Sequence, residues 1–318
     1  MMQPAFLPRR RTVLGGIASA LLAPAAAFGQ SPAAVRIGAF LIDPFLEPYY
    51  AQDQGMFAKA GLQADIQSLS TQASLAALIG NSLEFANSDL VPIANARSRG
   101  LDVVVVAAGA HYDAKVPTIA LITAADSTFH NSADLRGQVV GVPSLNSGPS
   151  IAVQEWLKKN GVDASAVRLI EIPLPAANAA LQRGTIAAAL NGEPFLSEAK
   201  GAIRILGYPY AAIADQFYTG IWVARGDWAD KNPALTRKFI DVIYQSARWA
   251  NAHQTDSAQI EARLTQIAYD RVKTMARNLY STSLDPALAQ PLLDVSYRYG
   301  LLNQPVVAST LFWKGATG

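Results

Sequence analysis

The sequence contains the same succession of elements twice. An apolar run, a loop, a proline and a helical stretch that ends in glycine begin at residue 35, and the same succession begins again at residue 139. Each copy continues with a second apolar run, another helical stretch and a third short strand. The distance from Ile37 to Asn81 is 44 residues, and the distance from Val140 to Gly184 is also 44. Two βαβαβ units predict two similar lobes, and such folds bind ligands at the carboxyl ends of their strands.

Apolar runs that alternate with helical stretches predict an α/β fold with largely parallel sheets. We assign residues 30–124 and 219–318 to a discontinuous first lobe, and residues 125–218 to a second lobe. The apolar run at 117–123 is placed in the first lobe, and residues 126–130 are expected to cross to the second. The helical last third should pack on the first lobe, so that two chain crossings form a hinge.

The last third contains clear helix boundaries. Asn232-Pro233 and Asp285-Pro286 are each typical of a helix start, where a polar cap precedes proline at the first helical position. Gly300 suits the left-handed conformation that ends many helices.

Residues 1–29 are predicted to be an export signal. They contain no acid, and three arginines at 9–11 precede an apolar stretch that ends in a run of alanines at 25–27. The letters RRTVL at 10–14 resemble the twin-arginine pattern, although a general secretory signal with adjacent arginines remains an alternative. We expect an exported, periplasmic protein.

Composition excludes several classes of function. The 318 residues include 26 basic and 24 acidic ones and no cysteine. Without the three arginines of the signal, 23 basic residues face 24 acidic ones, so binding to nucleic acid through phosphates is not expected. A chain without cysteine has no disulfides and no lipid-bearing N-terminal cysteine. No later segment approaches the roughly 20 apolar residues that a membrane span needs, so no membrane insertion of the mature chain is expected.

Three segments carry a resemblance to a known family. Residues 49–62 read YYAQDQGMFAKAGL, residues 132–142 read SADLRGQVVGV, and residues 180–188 read ALQRGTIAA. Together they resemble the periplasmic solute-binding proteins for nitrate, taurine, aliphatic sulfonates and thiamine pyrimidine precursors. The resemblance implies a type II periplasmic-binding-protein fold, with two βαβ lobes and a two-crossing hinge. It also implies a partner ABC permease with a separate ATPase.

Two positions depart from the family pattern. The family usually ends both repeats with glycine, any residue, an aliphatic residue and aspartate, whereas the first repeat here reads NSLE at 81–84 and the second has Ala187 in place of the aspartate. The resemblance therefore implies the fold and does not name the solute.

The candidate site lies where strands pass into helices. The loop at 144–150 of the second lobe reads SLNSGPS, and it leads into a helix whose free N–H groups favour anions or carbonyl groups. Ser147 could instead only cap this helix, and Tyr218 and Trp222 could be core residues. We expect the ligand to be held by residues from both lobes, namely Asp43, Glu47, Tyr49, Asn87, Ser88, Asp89, Ser144, Asn146, Ser147, Glu193, Tyr218 and Trp222.

The charges of this set are all acidic. A bare inorganic anion would meet no counter-charge from a side chain, whereas an amine or an N–H-bearing heterocycle could use a carboxylate directly. The predicted ligand is therefore a taurine-like or other sulfonate zwitterion, or an aminopyrimidine-like molecule, in preference to nitrate.

The predicted function is that of an extracytoplasmic receptor that binds a small solute, acts as a monomer and needs no cofactor or metal. His111, His130 and His253 are widely spaced and form no metal-ligand pattern. No glycine-flanked serine motif or P-loop is present, so an enzyme is not expected. A ligand-sensing subunit of a signalling receptor remains an alternative, as does a small-molecule enzyme on the same fold.

Overall fold

The structure is a computed structural model that describes residues 1–2 and 32–316. The predicted export signal falls almost entirely outside the described residues and stays a prediction. The described strands are β1 (Ala33–Gly38), β2 (Leu62–Gln67), β3 (Phe85–Ser88), β4 (Val103–Ala108), β5 (Ala110–Asp113), β6 (Ile119–Ala124), β7 (Val139–Val142), β8 (Arg168–Glu171), β9 (Ala188–Gly192), β10 (Ile203–Gly207), β11 (Gln216–Tyr218), β12 (Ile221–Arg225) and β13 (Leu279–Tyr280).

The strands alternate with helices through most of the chain. The described α-helices are α1 (Glu47–Asp53), α2 (Met56–Lys59), α3 (Thr71–Ile79), α4 (Leu90–Ser98), α5 (Gly148–Lys159), α6 (Leu174–Gln182), α7 (Phe195–Glu198), α8 (Gly226–Lys231), α9 (Pro233–Ala252), α10 (Gln254–Thr265), α11 (Tyr269–Thr274) and α12 (Pro286–Arg298). Short 3-10 helices occupy Asp43–Phe45, Ser132–Leu135, Ala164–Ala166, Pro209–Ala212 and Ala308–Leu311.

The two halves of the repeat form two sheets with the same core arrangement. The first sheet has the order β2-β1-β3-β12-β4, and the second has the order β10-β6-β9-β7-β8. In each, the first strand of the repeat pairs in parallel with the second and third strands. Ile37 pairs with Phe85 and Val140 pairs with Ala188, both across 48 residues. The predicted α/β architecture with two βαβαβ units is confirmed.

Strand β6 belongs to the second sheet, which differs from the predicted assignment of residues 117–123 to the first lobe. It pairs antiparallel with β9 and β10. The chain therefore leaves the first sheet's neighbourhood between β5 and β6, at residues 114–118, and the predicted crossing at 126–130 is wrong. The reason is that an apolar strand carries no local mark of the sheet it joins, because its partners lie more than 60 residues away.

A small third sheet, with the order β11-β5-β13, accompanies both crossings. Strand β5 precedes the first crossing, and β11 follows the return from β10 at residues 208–215. Strand β12 then joins the first sheet antiparallel to β3 and β4, as predicted for a return strand. The limits of the two lobes at single-residue level stay a prediction.

The C-terminal helices behave largely as predicted. Helix α9 packs on α1 and β4 of the first lobe, and Phe239 stacks on Phe85 with ring centroids 3.7 Å apart. Asp285 caps α12 by accepting a hydrogen bond from Ala287 N at 2.8 Å, and Gly300 has the expected positive φ of 71°. Asn232 starts α9 without a capping bond from its side chain, which instead donates to Trp228 O.

Helix α12 also reaches the second lobe, which was not predicted. It packs on α4 of the first lobe and on α5 of the second. No helix among the described residues combines the length and the apolar character that a membrane span requires.

Candidate functional site

A cavity of about 660 Å³ lies at the carboxyl ends of the parallel strands. Each of the six parallel strands is followed by a residue that lines it, namely Phe40, Ser70, Asp89, Pro143, Pro173 and Glu193. Three of these residues come from the first repeat and three from the second. The cavity therefore occupies the position at which doubly wound sheets hold ligands, and both lobes contribute to it.

Five of the twelve predicted site residues line this cavity: Asp89, Ser144, Ser147, Glu193 and Tyr218. The other seven lie outside its lining, and their environments explain why. A role in ligand binding stays a prediction for all twelve.

Asp43 is fully buried, and its carboxylate is hydrogen-bonded to other residues of the protein. Its carboxylate accepts hydrogen bonds from Asn278 N at 2.7 Å, Asn278 Nδ2 at 2.8 Å, Tyr280 OH at 3.1 Å and Arg277 Nε at 3.2 Å. The same guanidinium contacts Glu261 at 2.9 Å. Asp43 was expected to face the ligand, but these four bonds use its acceptor sites.

Glu47 and Trp222 form a second buried pair beneath the cavity. Trp222 Nε1 donates to Glu47 Oε1 at 3.3 Å, and both side chains have no exposed surface. Burial raises the pKa of Glu47 to about 8. Trp222 was expected either to contact the ligand or to be a core residue, and the structure places it in the core.

The other four predicted residues are turned away from the lining. Tyr49 OH donates to Ala39 O at 2.9 Å, and Ser88 Oγ donates to Asp89 O at 3.2 Å. Asn87 Nδ2 donates to the lining residue Thr71 at 3.1 Å, so its contribution is indirect. Asn146 is exposed, with a positive φ of 54°.

The predicted loop before α5 faces the first lobe across the cavity. Ser144 Oγ and Ser147 Oγ are 2.5 Å apart, and Ser147 Oγ donates to Ser144 O at 3.1 Å. Ser147 and Ser150 form a capping box at the start of α5, in which Ser150 Oγ accepts from Ser147 N at 3.2 Å. Ser147, Gly148 and Pro149 line the cavity, so the partial positive charge of this helix start lies beside it.

Asp89 places a carboxylate at this helix start. It caps α4 by accepting from Val91 N at 2.8 Å, and the backbone N–H of Gly148 at the start of α5 lies close enough to stabilise its charged form. Burial raises the pKa of Asp89 to about 6, and these two N–H groups oppose that rise. One side chain thus joins the N-termini of two helices from different lobes.

We expect Asp89→Ala to lower the free energy of unfolding by about 2 kcal/mol. About 1 kcal/mol comes from the lost cap of α4, and about 1 kcal/mol comes from the lost interaction with the second lobe. Asp285→Ala is the matched control, because Asp285 caps α12 with the same geometry at an exposed position and contacts one helix only. Urea denaturation measures both. Equal losses in the two variants would show that the interaction with Gly148 contributes nothing.

Glu193 lines the cavity directly after β9. Its two carboxylate oxygens accept from Ser197 N and Ser197 Oγ, each at 2.9 Å. Burial raises its pKa, and bonds from the backbone N–H groups of Ser197 and Ala276 oppose this. Glu193 remains part of the lining with these partners in place.

Most of the lining is apolar, and the sequence pattern did not reveal it. Tyr210 and Phe217 have ring centroids 5.3 Å apart, and Leu292 reaches the cavity from α12. Asn278 and Thr118, from the C-terminal segment and the first crossing, supply polar groups. The prolines that follow strand ends, such as Pro143 and Pro173, are a local signal that could have located these walls.

Charged groups in the lining have one sign. Asp89, Glu171 and Glu193 line the cavity, and no lysine, arginine or histidine is among its described lining residues. Within residues 32–316, no group of three or more side chains is arranged to hold a metal ion.

The family model described as NMT1/THI5 like matches residues 44–257. The chain belongs to this family. The three segments that carry the sequence resemblance, residues 49–62, 132–142 and 180–188, all fall within the matched range.

Two curated relatives are similar to parts of the chain. A binding protein of Brucella abortus is 24% identical over 233 residues, which are 72% of this chain and 70% of that protein. The nitrate/nitrite binding protein NrtA of Synechococcus elongatus is 30% identical over 119 residues. The second match spans 34% of this chain and only 25% of NrtA.

Solved structures share the fold. The periplasmic aliphatic sulphonate binding protein SsuA of Escherichia coli has a TM-score of 0.73 at 20% identity, covering 90% of this chain and 99% of SsuA. The desulfurization enzyme DszB has a TM-score of 0.66 at 15% identity, covering 89% of this chain and 97% of DszB. The predicted periplasmic-binding-protein fold is confirmed, and both binding proteins and an enzyme use it.

Proposed function

We propose that this chain is an extracytoplasmic solute-binding receptor that captures a small organic molecule between its lobes and delivers it to an ABC import permease. The observation that carries the proposal is the cavity at the ends of all six parallel strands. Its volume of about 660 Å³ is in the range of small-molecule sites. Each lobe supplies half of the strand-end residues, so a ligand would favour the form in which the lobes lie together.

The relatives support this role. Members of the same fold are described as binding proteins for sulfonate and nitrate, and the Brucella relative is described as a binding protein. A periplasmic location of this protein follows from the proposal and from the predicted export signal. The partner permease, with its separate ATPase, is part of the same proposal.

A thermal-shift screen tests the receptor role. We expect one compound among sulfonates, taurine, nitrate, pyrimidines and small aromatic amines and acids to raise the melting temperature by several degrees. At a hundredfold excess over the dissociation constant, ligand binding adds about 2.7 kcal/mol to the free energy of unfolding. Phe217→Ala should weaken the shift because Phe217 lines the cavity, whereas removal of the exposed Tyr297 ring in Tyr297→Ala should not. A screen without any stabilising compound would contradict the proposal.

The fold shared with DszB makes a catalytic role the alternative to a receptor. Mass spectrometry of the stabilising compound after long incubation distinguishes the two. We expect the compound to be recovered unchanged, because a receptor releases what it binds. Recovery of a new product would show that the protein acts as an enzyme and would contradict the receptor function.

A further inference from the structure

We propose that the cavity selects a molecule with an apolar, ring-sized body and a cationic N–H donor head, such as an arylalkylamine, and that it excludes anions. The inference rests on the proposed receptor function and names the substrate class of the same cavity. Thr118, Asn278 and Glu193 would receive the head group, and the aromatic wall at Tyr210 and Phe217 would receive the body.

The orientation of the Asn278 amide is set from outside the cavity. The Asp43 carboxylate accepts from Asn278 Nδ2 at 2.8 Å, and this bond fixes which end of the amide is nitrogen. Asn278 Oδ1 then accepts from Thr118 Oγ1 at 3.2 Å. Thr118 Oγ1 has therefore already donated its single proton to Asn278 Oδ1. The remaining lone pairs of these two oxygen atoms can accept a hydrogen bond from a ligand.

Glu193 adds a negative charge to the same polar end. Thr118 O accepts from Glu193 N at 2.9 Å, which holds the two residues side by side. A carboxylate has about four acceptor positions, and the N–H and hydroxyl groups of Ser197 supply two donors to Glu193. A position for a further donor remains, and a cationic donor gives the strongest bond to a carboxylate.

The site that would attract an anion is filled by the protein itself. The N-terminus of α5 is the natural anion site of the second lobe, and the Asp89 carboxylate lines the cavity together with Gly148, whose backbone N–H stabilises its charged form. A sulfonate or nitrate would have to displace Asp89 or lie beside it. Because the charged residues of the described lining are Asp89, Glu171 and Glu193, such an anion would meet three like charges and no basic side chain.

The remaining wall fits an apolar body. Tyr210 and Phe217 present neighbouring rings, and Tyr112 packs behind both at centroid distances of 5.5 and 5.6 Å. Tyr218 OH is occupied by Ser283 O at 3.1 Å and Asp285 N at 2.7 Å, so its ring contributes apolar surface to the cavity. Aromatic rings of this kind bind another ring by stacking or edge contacts.

A matched pair of probes tests the inference by titration calorimetry on the full chain. 2-Phenylethylamine and 2-phenylethanesulfonate share one body and carry head groups of opposite charge. We expect the amine to bind and the sulfonate to give no heat of binding. Glu193→Gln and Asn278→Ala should each weaken amine binding about tenfold or more, as for loss of a hydrogen bond to a charged group. Glu198→Gln and Asn303→Ala remove an exposed acid and an exposed amide and should leave the amine affinity unchanged.

The outcomes separate the inference from the receptor proposal. Binding of the sulfonate without the amine would overturn the donor-head inference and keep the receptor function. Amine binding that is insensitive to both Glu193→Gln and Asn278→Ala would also overturn it, because the head group would then lie elsewhere. If neither probe binds and the wider solute screen is also empty, both proposals fail.

Discussion

Replacing Asp43 by alanine is expected to lower the free energy of unfolding by about 3–5 kcal/mol. Asp43 is fully buried and accepts four hydrogen bonds from Arg277, Asn278 and Tyr280. Its removal leaves the Arg277 guanidinium, whose side chain is 10% exposed, with Glu261 as its remaining carboxylate partner. A buried charge that loses a partner cannot recover the hydration it has in the unfolded chain.

Asp53→Ala is the matched control for this variant. Asp53 also pairs with an arginine far away in sequence, but the pair with Arg263 is exposed to solvent. Exposed ion pairs contribute about 0–1 kcal/mol, so this variant should unfold close to the parent protein. Urea denaturation compares the two, with the dependence on urea concentration expected to be unchanged. A loss for Asp43→Ala no larger than that for Asp53→Ala would show that the buried network is not a source of stability.

The second large effect concerns pH. Burial raises the pKa of Glu47 to about 8, above the ordinary glutamate value of about 4.5. In the folded protein Glu47 therefore stays protonated between about pH 4.5 and 8, whereas in the unfolded chain Glu47 is ionised over this range. The contribution of Glu47 to the free energy of unfolding is fully present below pH 4.5. It is lost as the pH rises toward 8, and the free energy of unfolding falls by up to about 1.4 kcal/mol per pH unit.

Glu47→Gln removes this dependence while keeping the shape and an oxygen for the Trp222 N–H. We expect the variant to match the parent protein near pH 5 and to melt at a higher temperature near pH 8.5, with a flatter pH profile between. Glu198→Gln, at an exposed carboxylate, should leave the profile unchanged. Parallel profiles for the parent protein and Glu47→Gln would mean that Glu47 stays ionised when buried.

The architecture was predictable because its signals are local and repeated. The apolar runs, the glycines at the helix ends and the 48-residue spacing of Ile37–Phe85 and Val140–Ala188 follow directly from each βαβαβ unit. Strand β6 was misplaced because sheet membership depends on partners far along the chain.

The site was predictable to the extent that it follows strand ends. Asp89, Ser144, Ser147 and Glu193 each come shortly after a parallel strand, and all four line the cavity. Asp43 and Glu47 come before or at the first turn of α1 and were expected to contact the ligand. Their partners Arg277 and Trp222 are 234 and 175 residues away, and no local pattern shows that such residues will bury a carboxylate. Asn278 was missed for the same reason.

Helix α12 connects the two lobes by non-covalent packing, in addition to the two chain crossings. It packs on α4 and α5, and Leu292 lies 3.5 Å from the position that a side chain at Gly148 would take. At its C-terminal end, Arg298 and the next residue, Tyr299, both donate hydrogen bonds to Glu155 of α5, each at 2.9 Å. Movement of the two lobes apart must therefore break the packing of α12 on α4 or its packing on α5. If the cavity holds a solute as proposed, we expect the residence time of that solute to depend on the contact between α12 and Glu155, which is not part of the cavity lining.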